Sequence, residues 1–166
     1  DAVQIPVLAD IERNNTDFKV MLWANRNGFY YVLNRKTGRF LSGRPFIKVN
    51  WAEGLDDSGR PIETPQPPGA PTYPGIQGGT NWYSPSYSPQ TELFSIPVWE
   101  SYGTVFDAQP QEYEEARVFL GGVFLPAART GTATTRGPIN TWTEEAGTGA
   151  ILAIDALTAE PRWKFE

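Results

Sequence analysis

Two missing residue types restrict the chemistry that this chain can perform. The 166-residue chain contains no histidine and no cysteine. It therefore has no histidine general base, no Ser-His-Asp triad, no thiol nucleophile and no thiolate metal site. Any catalysis must use carboxylates, arginine or lysine, tyrosine or a bound cofactor, and a hard cation would need oxygen ligands.

Two short stretches carry polar groups in settings that differ from an ordinary solvated loop. One is Asn25-Arg26-Asn27-Gly28, in which the Asn-Gly pair is a strong hairpin signal. The other is residues 77–89, QGGTNWYSPSYSP, which is uncharged and yet not apolar enough for a core strand. Gly78 and Gly79 in this stretch allow a close backbone approach that a Cβ would prevent. The candidate functional residues of the two stretches are Arg26, Asn81 and Trp82.

The bulk composition favours one globular domain and excludes several kinds of partner. Hydrophobic residues make up 40% of the chain, and its length suits a single domain over residues 1–166. The net charge is −5 and no cluster of lysine and arginine occurs, which argues against nucleic acid and anionic membranes. No run of 18 apolar residues predicts a membrane span. Because the chain begins at Asp1 without a methionine, we expect a processed or cut start, and localisation cannot be read from it.

Strand and turn signals dominate the chain, and helix signals are scarce. Phe18–Ala24 and Phe29–Leu33 are aromatic and β-branched runs on either side of the Asn-Gly turn. A weak repeat places Asn34, Ser88 and Asp155 three residues before a threonine, with strand-like stretches before and after each. The side chain at the first position is expected to bond the backbone two or three residues on and close a hairpin. The spacings of 54 and 67 residues are compatible with propeller blades that carry inserted loops.

Two long loops interrupt the predicted strands. Residues 56–79 hold six prolines and several glycines, and residues 127–149 are rich in threonine and glycine. A long loop without its own secondary structure is usually functional or disordered. The prolines favour a loop held in one shape over a surface, and a tolerated surface insertion is the alternative.

The last repeat, Ala153-Ile154-Asp155-Ala156-Leu157-Thr158-Ala159-Glu160-Pro161-Arg162-Trp163, resembles the tryptophan-docking motif of PQQ-dependent quinoprotein alcohol dehydrogenases. Ala159 departs from the glycine that this family prefers, and Trp163 corresponds to the tryptophan that wedges between blades. Residues 24–35 and 78–87 resemble two further stretches of the same family. The resemblance implies an all-β propeller of four-stranded antiparallel sheets with eight blades, of which 166 residues would supply about three. The chain is therefore expected to be a partial one, and inactive when isolated.

The same resemblance assigns candidate roles to four residues. Arg26 corresponds to the basic residue that touches the quinone of PQQ, and Asn81 with Trp82 to the segment on the other side of the cofactor. Asp1 corresponds either to the catalytic base, which also contacts the metal, or to a second carboxylate found in lanthanide-using members. This alternative leaves the metal open between Ca²⁺ and a lanthanide. The implied partners are an alcohol substrate, a periplasmic cytochrome c as electron acceptor and the rest of the propeller.

Two other functions compete with the enzyme. A non-catalytic propeller scaffold would keep the docking motif without a cofactor, although it has no physical reason to retain Arg26 together with Asn81-Trp82. A carbohydrate-binding β module that uses exposed aromatic residues is a weaker alternative. The aromatic residues of the first half are interpreted as inter-sheet core: Trp23, Phe29, Tyr30, Tyr31 and Trp51.

Overall fold

The computed structural model of the chain describes residues 2–124, 133–136, 139–142 and 148–166. Within these residues all regular structure is β, and every strand pair is antiparallel. The all-β prediction is confirmed. The loop prediction over residues 127–149 is wrong where the structure describes this segment, because residues 133–136 and 139–142 pair as antiparallel strands and a further strand begins at Thr148. The rest of the segment lies outside the described residues.

Two four-stranded sheets form the body of the structure, and each is an up-and-down meander of the kind that makes a propeller blade. The first sheet runs in the order β1 (Val7–Arg13), β2 (Thr16–Ala24), β3 (Phe29–Asn34) and β4 (Phe40–Pro45). The second runs in the order β7 (Ser86–Ser88), β8 (Leu93–Glu100), β13 (Thr148–Asp155) and β14 (Pro161–Phe165).

Three two-stranded ribbons occupy the insertions around these sheets. They are β5 (Ala52–Leu55) with β6 (Pro61–Glu63), β9 (Phe106–Ala108) with β10 (Gly122–Phe124), and β11 (Ala133–Arg136) with β12 (Ile139–Trp142). Length alone suggests about three blades, whereas the described residues form two four-stranded sheets. The difference arises because the insertions take up the residues that a third blade would need.

The two sheets share one apolar core, which follows from the period-two alternation of their strands. Val20, Leu22, Tyr30 and Val32 of the first sheet are fully buried, and so are Phe94, Ile96 and Ile154 of the second. The rings of Tyr30 and Phe94 lie 5.1 Å apart between centroids. The Tyr30 hydroxyl donates a hydrogen bond of 2.9 Å to the carbonyl of Ala156. Burial, together with the negative charge of Asp155, raises the pKa of Tyr30, so its hydroxyl remains a donor.

The three repeated turns have one backbone geometry, as the side-chain chemistry predicts. Asn34 Oδ1 accepts from the N–H groups of Lys36 (2.9 Å) and Thr37 (3.1 Å). Asp155 Oδ1 accepts from the corresponding N–H groups of Leu157 and Thr158, both at 3.0 Å. Four residues after each start, Gly38, Glu92 and Ala159 all have positive φ, at 74°, 54° and 60°. The predicted hairpins are confirmed.

The interval between the repeated turns does not equal the number of residues in one blade. Asn34 and Asp155 both begin the turn between the third and fourth strands of a sheet, but Ser88 begins the turn between the first and second. The prediction that intervals of 54 and 67 residues separate successive blades is therefore wrong. The turn that corresponds to Ser88 in the first sheet is Asn14-Asn15, where both residues have positive φ.

Trp163 lies on β14 opposite Ala153, and 48% of its surface is exposed within the described residues. The insertion of the Trp163 ring between two adjacent blades stays a prediction.

The turn after Asp155 joins the second sheet to the first. Arg13 at the end of β1 donates to Asp155 Oδ1 at 2.9 Å and to the carboxylate of Glu92. Ser42 Oγ of β4 donates to the carbonyl of Leu157 at 2.6 Å. Burial acts to raise the pKa of Asp155, but hydrogen bonds from Arg13, Arg162 and two backbone N–H groups together hold that pKa well below its ordinary value. Asp155 is therefore a buried anion that ties the two sheets together.

Exchanging the residues at the two matched turns should give unequal effects. Gly38 has positive φ and open space around the position of a Cβ, so Gly38→Ala should cost about 1 kcal/mol of backbone strain. Ala159 has the same strain, but its methyl group is buried in the core with 2% exposure. Ala159→Gly should then be nearly neutral, because relief of strain offsets about 0.8 kcal/mol of lost methyl burial. Denaturant unfolding of the complete protein measures the stability of both variants. Equal losses of stability would contradict the idea that relief of strain offsets the lost methyl burial at position 159.

The Asp155 carboxylate should make stability depend on acid pH. Its folded-state pKa lies below the ordinary value of 3.8, so its contribution is fully present above that pH and is lost as the pH falls below about 4. Asp155→Asn should lower the free energy of unfolding by about 1–3 kcal/mol at neutral pH. The difference in free energy of unfolding between the wild type and Asp155→Asn should become smaller below pH 4. Asp57→Asn, at an exposed turn, is the control. A difference in unfolding free energy between wild type and Asp155→Asn that stays constant down to pH 2 would refute the role of Asp155.

Candidate functional site

Arg26 lies at the tip of the hairpin that connects β2 and β3. The turn closes through Asn25 N to the carbonyl of Phe29 (2.9 Å) and Gly28 N to the carbonyl of Asn25 (3.1 Å). Asn27 braces it, because its Oδ1 accepts from Phe29 N at 3.0 Å and its Nδ2 donates to the Tyr31 hydroxyl at 2.8 Å. Gly28 has a φ of 93°, which the turn requires and which glycine adopts at no steric cost. The predicted hairpin is confirmed, and it holds Arg26 in a defined place.

The Arg26 side chain is half-buried and lines a cavity of about 530 Å³. One guanidinium nitrogen donates to the carbonyl of Ile76. Ile76 is itself fixed, since its N–H donates to Thr104 Oγ1 at 2.8 Å. No carboxylate among the described residues forms an ion pair with Arg26. The wall of this cavity, called the Arg26 cavity below, therefore carries a positive charge that the described part of the chain does not neutralise.

Gly78 and Gly79 press directly against the Arg26 hairpin. Gly79 N donates to the carbonyl of Arg26 at 3.0 Å. A Cβ on Gly78 would lie 2.1 Å from Arg26 Cγ, and one on Gly79 would lie 2.3 Å from Ile47 Cδ1. Gly78 also has a φ of 78°, which disfavours any side chain. The glycine pair thus brings the loop before β7 into contact with Arg26.

Asn81 holds its own loop together. It is buried with 6% exposure, its Nδ2 donates to the carbonyl of Gln77 at 2.9 Å, and its Oδ1 accepts from Trp82 N at 3.0 Å. Trp82 is 69% exposed, and its ring lies 5.9 Å from that of Tyr83. Trp82 does not line the Arg26 cavity. The structure therefore joins the loop of Asn81 to Arg26 through Gly78 and Gly79, while direct contact of Asn81 and Trp82 with a ligand stays a prediction.

Asp1, the remaining predicted site residue, lies outside the described residues. Its neighbour Ala2 lines the Arg26 cavity. Among residues 2–124 and the later described segments, no group of three or more aspartate and glutamate side chains is close enough to hold a metal ion.

Sequence reasoning missed Gln4 and misjudged Trp51. Gln4 is 5% exposed, and neither atom of its side-chain amide has a hydrogen-bond partner in the described part of the chain. The backbone carbonyl of Gln4 accepts a hydrogen bond from Trp23 Nε1 at 3.1 Å. Trp51 was interpreted as core but lines the Arg26 cavity, and its Nε1 donates to the carbonyl of Asn27 at 3.2 Å. One sequence feature could have indicated that Trp51 belongs to the site, because Asn50-Trp51 repeats the Asn-Trp pair of residues 81 and 82.

Comparison with known proteins identifies the family. No family model matches the chain. A quinohemoprotein alcohol dehydrogenase of Comamonas testosteroni is 32% identical over 171 residues, which cover 99% of this chain and 23% of that protein. The chain belongs to the quinoprotein alcohol dehydrogenase family. Its family relative from Thauera butanivorans, a 1-butanol dehydrogenase (cytochrome c), is 47% identical over 96 residues, covering 55% of this chain and 14% of that one.

The fold agrees with the family. The structure of a europium-containing methanol dehydrogenase matches with a TM-score of 0.79 at 24% identity, covering 98% of this chain and 27% of that one. At this identity the match supports the fold alone, and the two meanders are blades of a quinoprotein propeller. The chain spans about a quarter or less of the length of these two curated relatives. The described residues include no helix with the length and apolarity needed to cross a membrane.

The contact between Gly78 and Arg26 can be tested with a matched pair of glycines. Gly78 and Gly69 have φ values of 78° and 81°, but a Cβ would meet Arg26 only at Gly78, since open space surrounds Gly69. Both alanine variants should lose about 1 kcal/mol from backbone strain. Gly78→Ala should lose roughly 1–3 kcal/mol more from the clash. Thermal and denaturant unfolding of the complete protein measures the difference, and equal losses would show that the close packing on Arg26 is unimportant.

Proposed function

We propose that the chain is a section of a PQQ-dependent alcohol dehydrogenase. The enzyme transfers hydride from an alcohol to pyrroloquinoline quinone, and the electrons pass to a cytochrome c in the periplasm. The observation that carries the proposal is the Arg26 guanidinium, which lines a cavity and has no ion-pair partner in the described residues of a chain related over its length to quinoprotein dehydrogenases.

The chemistry of the Arg26 cavity is compatible with this cofactor. PQQ is a planar ortho-quinone with three carboxylates, and when bound it supplies the electrophilic carbonyl that accepts hydride. An arginine side chain has five N–H donors and no acceptor. Arg26 uses one of its nitrogens to bond Ile76, which orients the group, and the others can donate to quinone oxygens. Its positive charge then stabilises negative charge that develops on those oxygens.

Trp51 in the wall of the cavity and the loop of Asn81 beside the Arg26 hairpin can both help to orient a ligand. Trp51 presents a large flat ring whose indole nitrogen is fixed on the Arg26 hairpin. Gly78 and Gly79 hold the loop of Asn81 against the same hairpin. Asn81 keeps that loop in one shape, because its amide bonds both Gln77 and Trp82. We propose that Asn81 and Trp82 face the opposite side of the cofactor in the complete propeller, where Trp82 offers its exposed ring.

Asp1 is proposed as a carboxylate of the metal and proton-transfer site. Its neighbour Ala2 lines the Arg26 cavity, which supports a location close to the quinone. As the base, Asp1 would take the hydroxyl proton of the alcohol while also binding Ca²⁺. As a second metal carboxylate, it would suit a lanthanide instead. Oxygen ligands are the donors that both ions require.

The name of one relative supports the choice of electron acceptor. The Thauera butanivorans relative bears a name that specifies cytochrome c. A cytochrome c acceptor is therefore proposed for this enzyme. The periplasmic location and the eight-bladed propeller are proposed from the family resemblance alone. A non-catalytic scaffold is disfavoured, because it would have no use for an arginine that lines a cavity without an ion-pair partner in the described residues.

Removing the Arg26 guanidinium tests the proposal. In the complete enzyme, supplied with PQQ and Ca²⁺ or a lanthanide, Arg26→Ala should lower alcohol-dependent reduction of an artificial acceptor by about 100-fold or more. Arg26→Lys should recover part of the rate, since it restores a charge without the fork of donors. Titration with PQQ, followed by absorbance, should show weaker binding for Arg26→Ala.

Arg39→Ala is the matched control, because Arg39 is exposed on the β3–β4 turn away from the Arg26 cavity. Circular dichroism checks that each variant is folded. Full activity of Arg26→Ala would refute the role of Arg26, and absence of alcohol oxidation in the loaded wild-type enzyme would refute the function itself.

A further inference from the structure

The Arg26 side chain is oriented by a residue that belongs to an irregular segment of the chain. Its guanidinium donates to the carbonyl of Ile76, 50 residues further along. Residues 64–85, all of which the structure describes, contain no strand and form a single isolated bridge, at Thr72. A segment without a sheet ladder needs other partners for its backbone groups. The position of the Ile76 carbonyl, and with it the direction of the Arg26 side chain, therefore depends on contacts made outside this segment.

Thr104 makes the contact that holds Ile76. The N–H of Ile76 donates to Thr104 Oγ1 at 2.8 Å, so this residue is bound at its N–H by Thr104 and at its carbonyl by Arg26. Only 4% of the surface of Thr104 is exposed. Its backbone exchanges two hydrogen bonds with Thr72, of 2.9 Å and 3.1 Å. Because threonine branches at Cβ, its χ1 rotation is restricted, and the bridge to Thr72 thus also limits where the hydroxyl lies.

The segments that carry Ile76 and Thr104 lie closer together than a side chain at position 75 would allow. A Cβ on Gly75 would lie 2.5 Å from Thr104 Oγ1. The N–H of Gly75 donates to the carbonyl of Tyr102 at 2.8 Å. Residues 72–76 are therefore fastened to residues 102–104 by backbone hydrogen bonds and by the Thr104 hydroxyl.

The Thr104 hydroxyl can affect a ligand in the Arg26 cavity only through other residues. Thr104 does not line that cavity, whereas three residues of the neighbouring segment do, namely Thr72, Pro74 and Gly75. An arginine side chain has many rotamers, and an acceptor that is held in place restricts them before a ligand binds. Less conformational entropy is then lost when the ligand binds, which favours binding.

We propose that Thr104 is a positioning residue for Arg26. Its hydroxyl holds Ile76 where the carbonyl of this residue orients the guanidinium, and the remaining guanidinium donors are thereby directed at the quinone oxygens of PQQ. The inference rests on the proposed function, because the consequence of this orientation is tighter binding of PQQ. Thr104 itself touches neither the cofactor nor the substrate.

Removal of the Thr104 hydroxyl should weaken the binding of PQQ to the complete enzyme. Thr104→Val keeps the shape of the side chain, and Thr104→Ala avoids a methyl group against the Ile76 N–H. Each should raise the Kd for PQQ by about tenfold, because the guanidinium is no longer held in one direction. Thr104→Ser keeps the hydroxyl and should bind PQQ almost as well as the wild type. Titration of the cofactor-free enzyme with PQQ in the presence of Ca²⁺, followed by absorbance, measures each Kd.

Wild-type affinity in Thr104→Val and Thr104→Ala would overturn the inference. A Thr104→Ser variant that binds PQQ as weakly as Thr104→Ala would overturn the role of the hydroxyl. Circular dichroism checks that each variant is folded, and Thr104→Ala serves alone if Thr104→Val does not fold.

A double-mutant cycle separates positioning of Arg26 from a general effect on the fold. Because Thr104 acts through Arg26, Thr104→Ala should not weaken PQQ binding further in an enzyme that already carries Arg26→Ala. A merely structural role would raise the Kd by the same factor with and without the arginine, and that result would contradict the proposal.

Thr37→Val is the matched control for the loss of a hydroxyl. Thr37 Oγ1 likewise accepts a backbone N–H, from Arg39 at 3.3 Å, but Thr37 is exposed on the β3–β4 turn and does not line the Arg26 cavity. Its Kd for PQQ should equal that of the wild type. An increase as large as that of Thr104→Val would show that the effect is not specific to Thr104.

The geometry can also be tested without the cofactor. In crystals of the complete, cofactor-free enzyme, Thr104→Ala should move the Arg26 guanidinium out of hydrogen-bond distance of the Ile76 carbonyl, whereas Thr104→Ser should keep this bond. An unchanged bond in Thr104→Ala would overturn the inference, even for a protein that binds no PQQ. Failure of the wild-type enzyme to bind PQQ would count only against the proposed function.

Discussion

The ion pair between Arg13 and Asp155 is the interaction on which the arrangement of the two sheets depends. The Asp155 carboxylate shapes its own turn by accepting two backbone N–H groups, and it bonds the last residue of β1 in the other sheet. An isolated buried carboxylate would be costly, and the hydrogen bonds from Arg13 and the turn make its charge tolerable. The same turn accepts bonds from Tyr30 and Ser42 of the first sheet. One side chain therefore links local turn geometry to the packing of neighbouring blades.

The relative placement of the sheets in turn decides whether a site exists. Arg26 belongs to a hairpin of the first sheet, whereas Gly78, Gly79 and Asn81 belong to the loop that leads into the second. Trp99 N on β8 donates to the carbonyl of Gly79 at 2.9 Å, so the loop is fastened to the second sheet as well as to Arg26. A shift of one sheet against the other would move the loop away from the hairpin. The position of this loop beside Arg26 thus depends on the core and on Asp155 as well as on the contacts within the hairpin.

Local features of this structure could be predicted from sequence, because their causes lie within a few residues. The hairpin at Asn27-Gly28 and the turns at Asn34, Ser88 and Asp155 follow from side chains that bond their own backbone. The position of each turn within its sheet could not be read in the same way, since the first and third turns of a meander use the same chemistry. Trp51 was misjudged for a related reason. A tryptophan beside a strand looks like core, and only the folded structure shows that Trp51 lines the Arg26 cavity.

The two Asn-Trp pairs show how an asparagine amide can fix the shape of the irregular segment that contains it. In both pairs the asparagine amide bonds backbone groups of its own loop, at Pro71 and Tyr73 for Asn50 and at Gln77 and Trp82 for Asn81. An amide carries both donor and acceptor, so it can replace the backbone partners that an irregular segment lacks. The tryptophan that follows is then presented at a fixed position, half-buried at 51 and exposed at 82. Each asparagine thus stabilises the segment that positions the tryptophan after it.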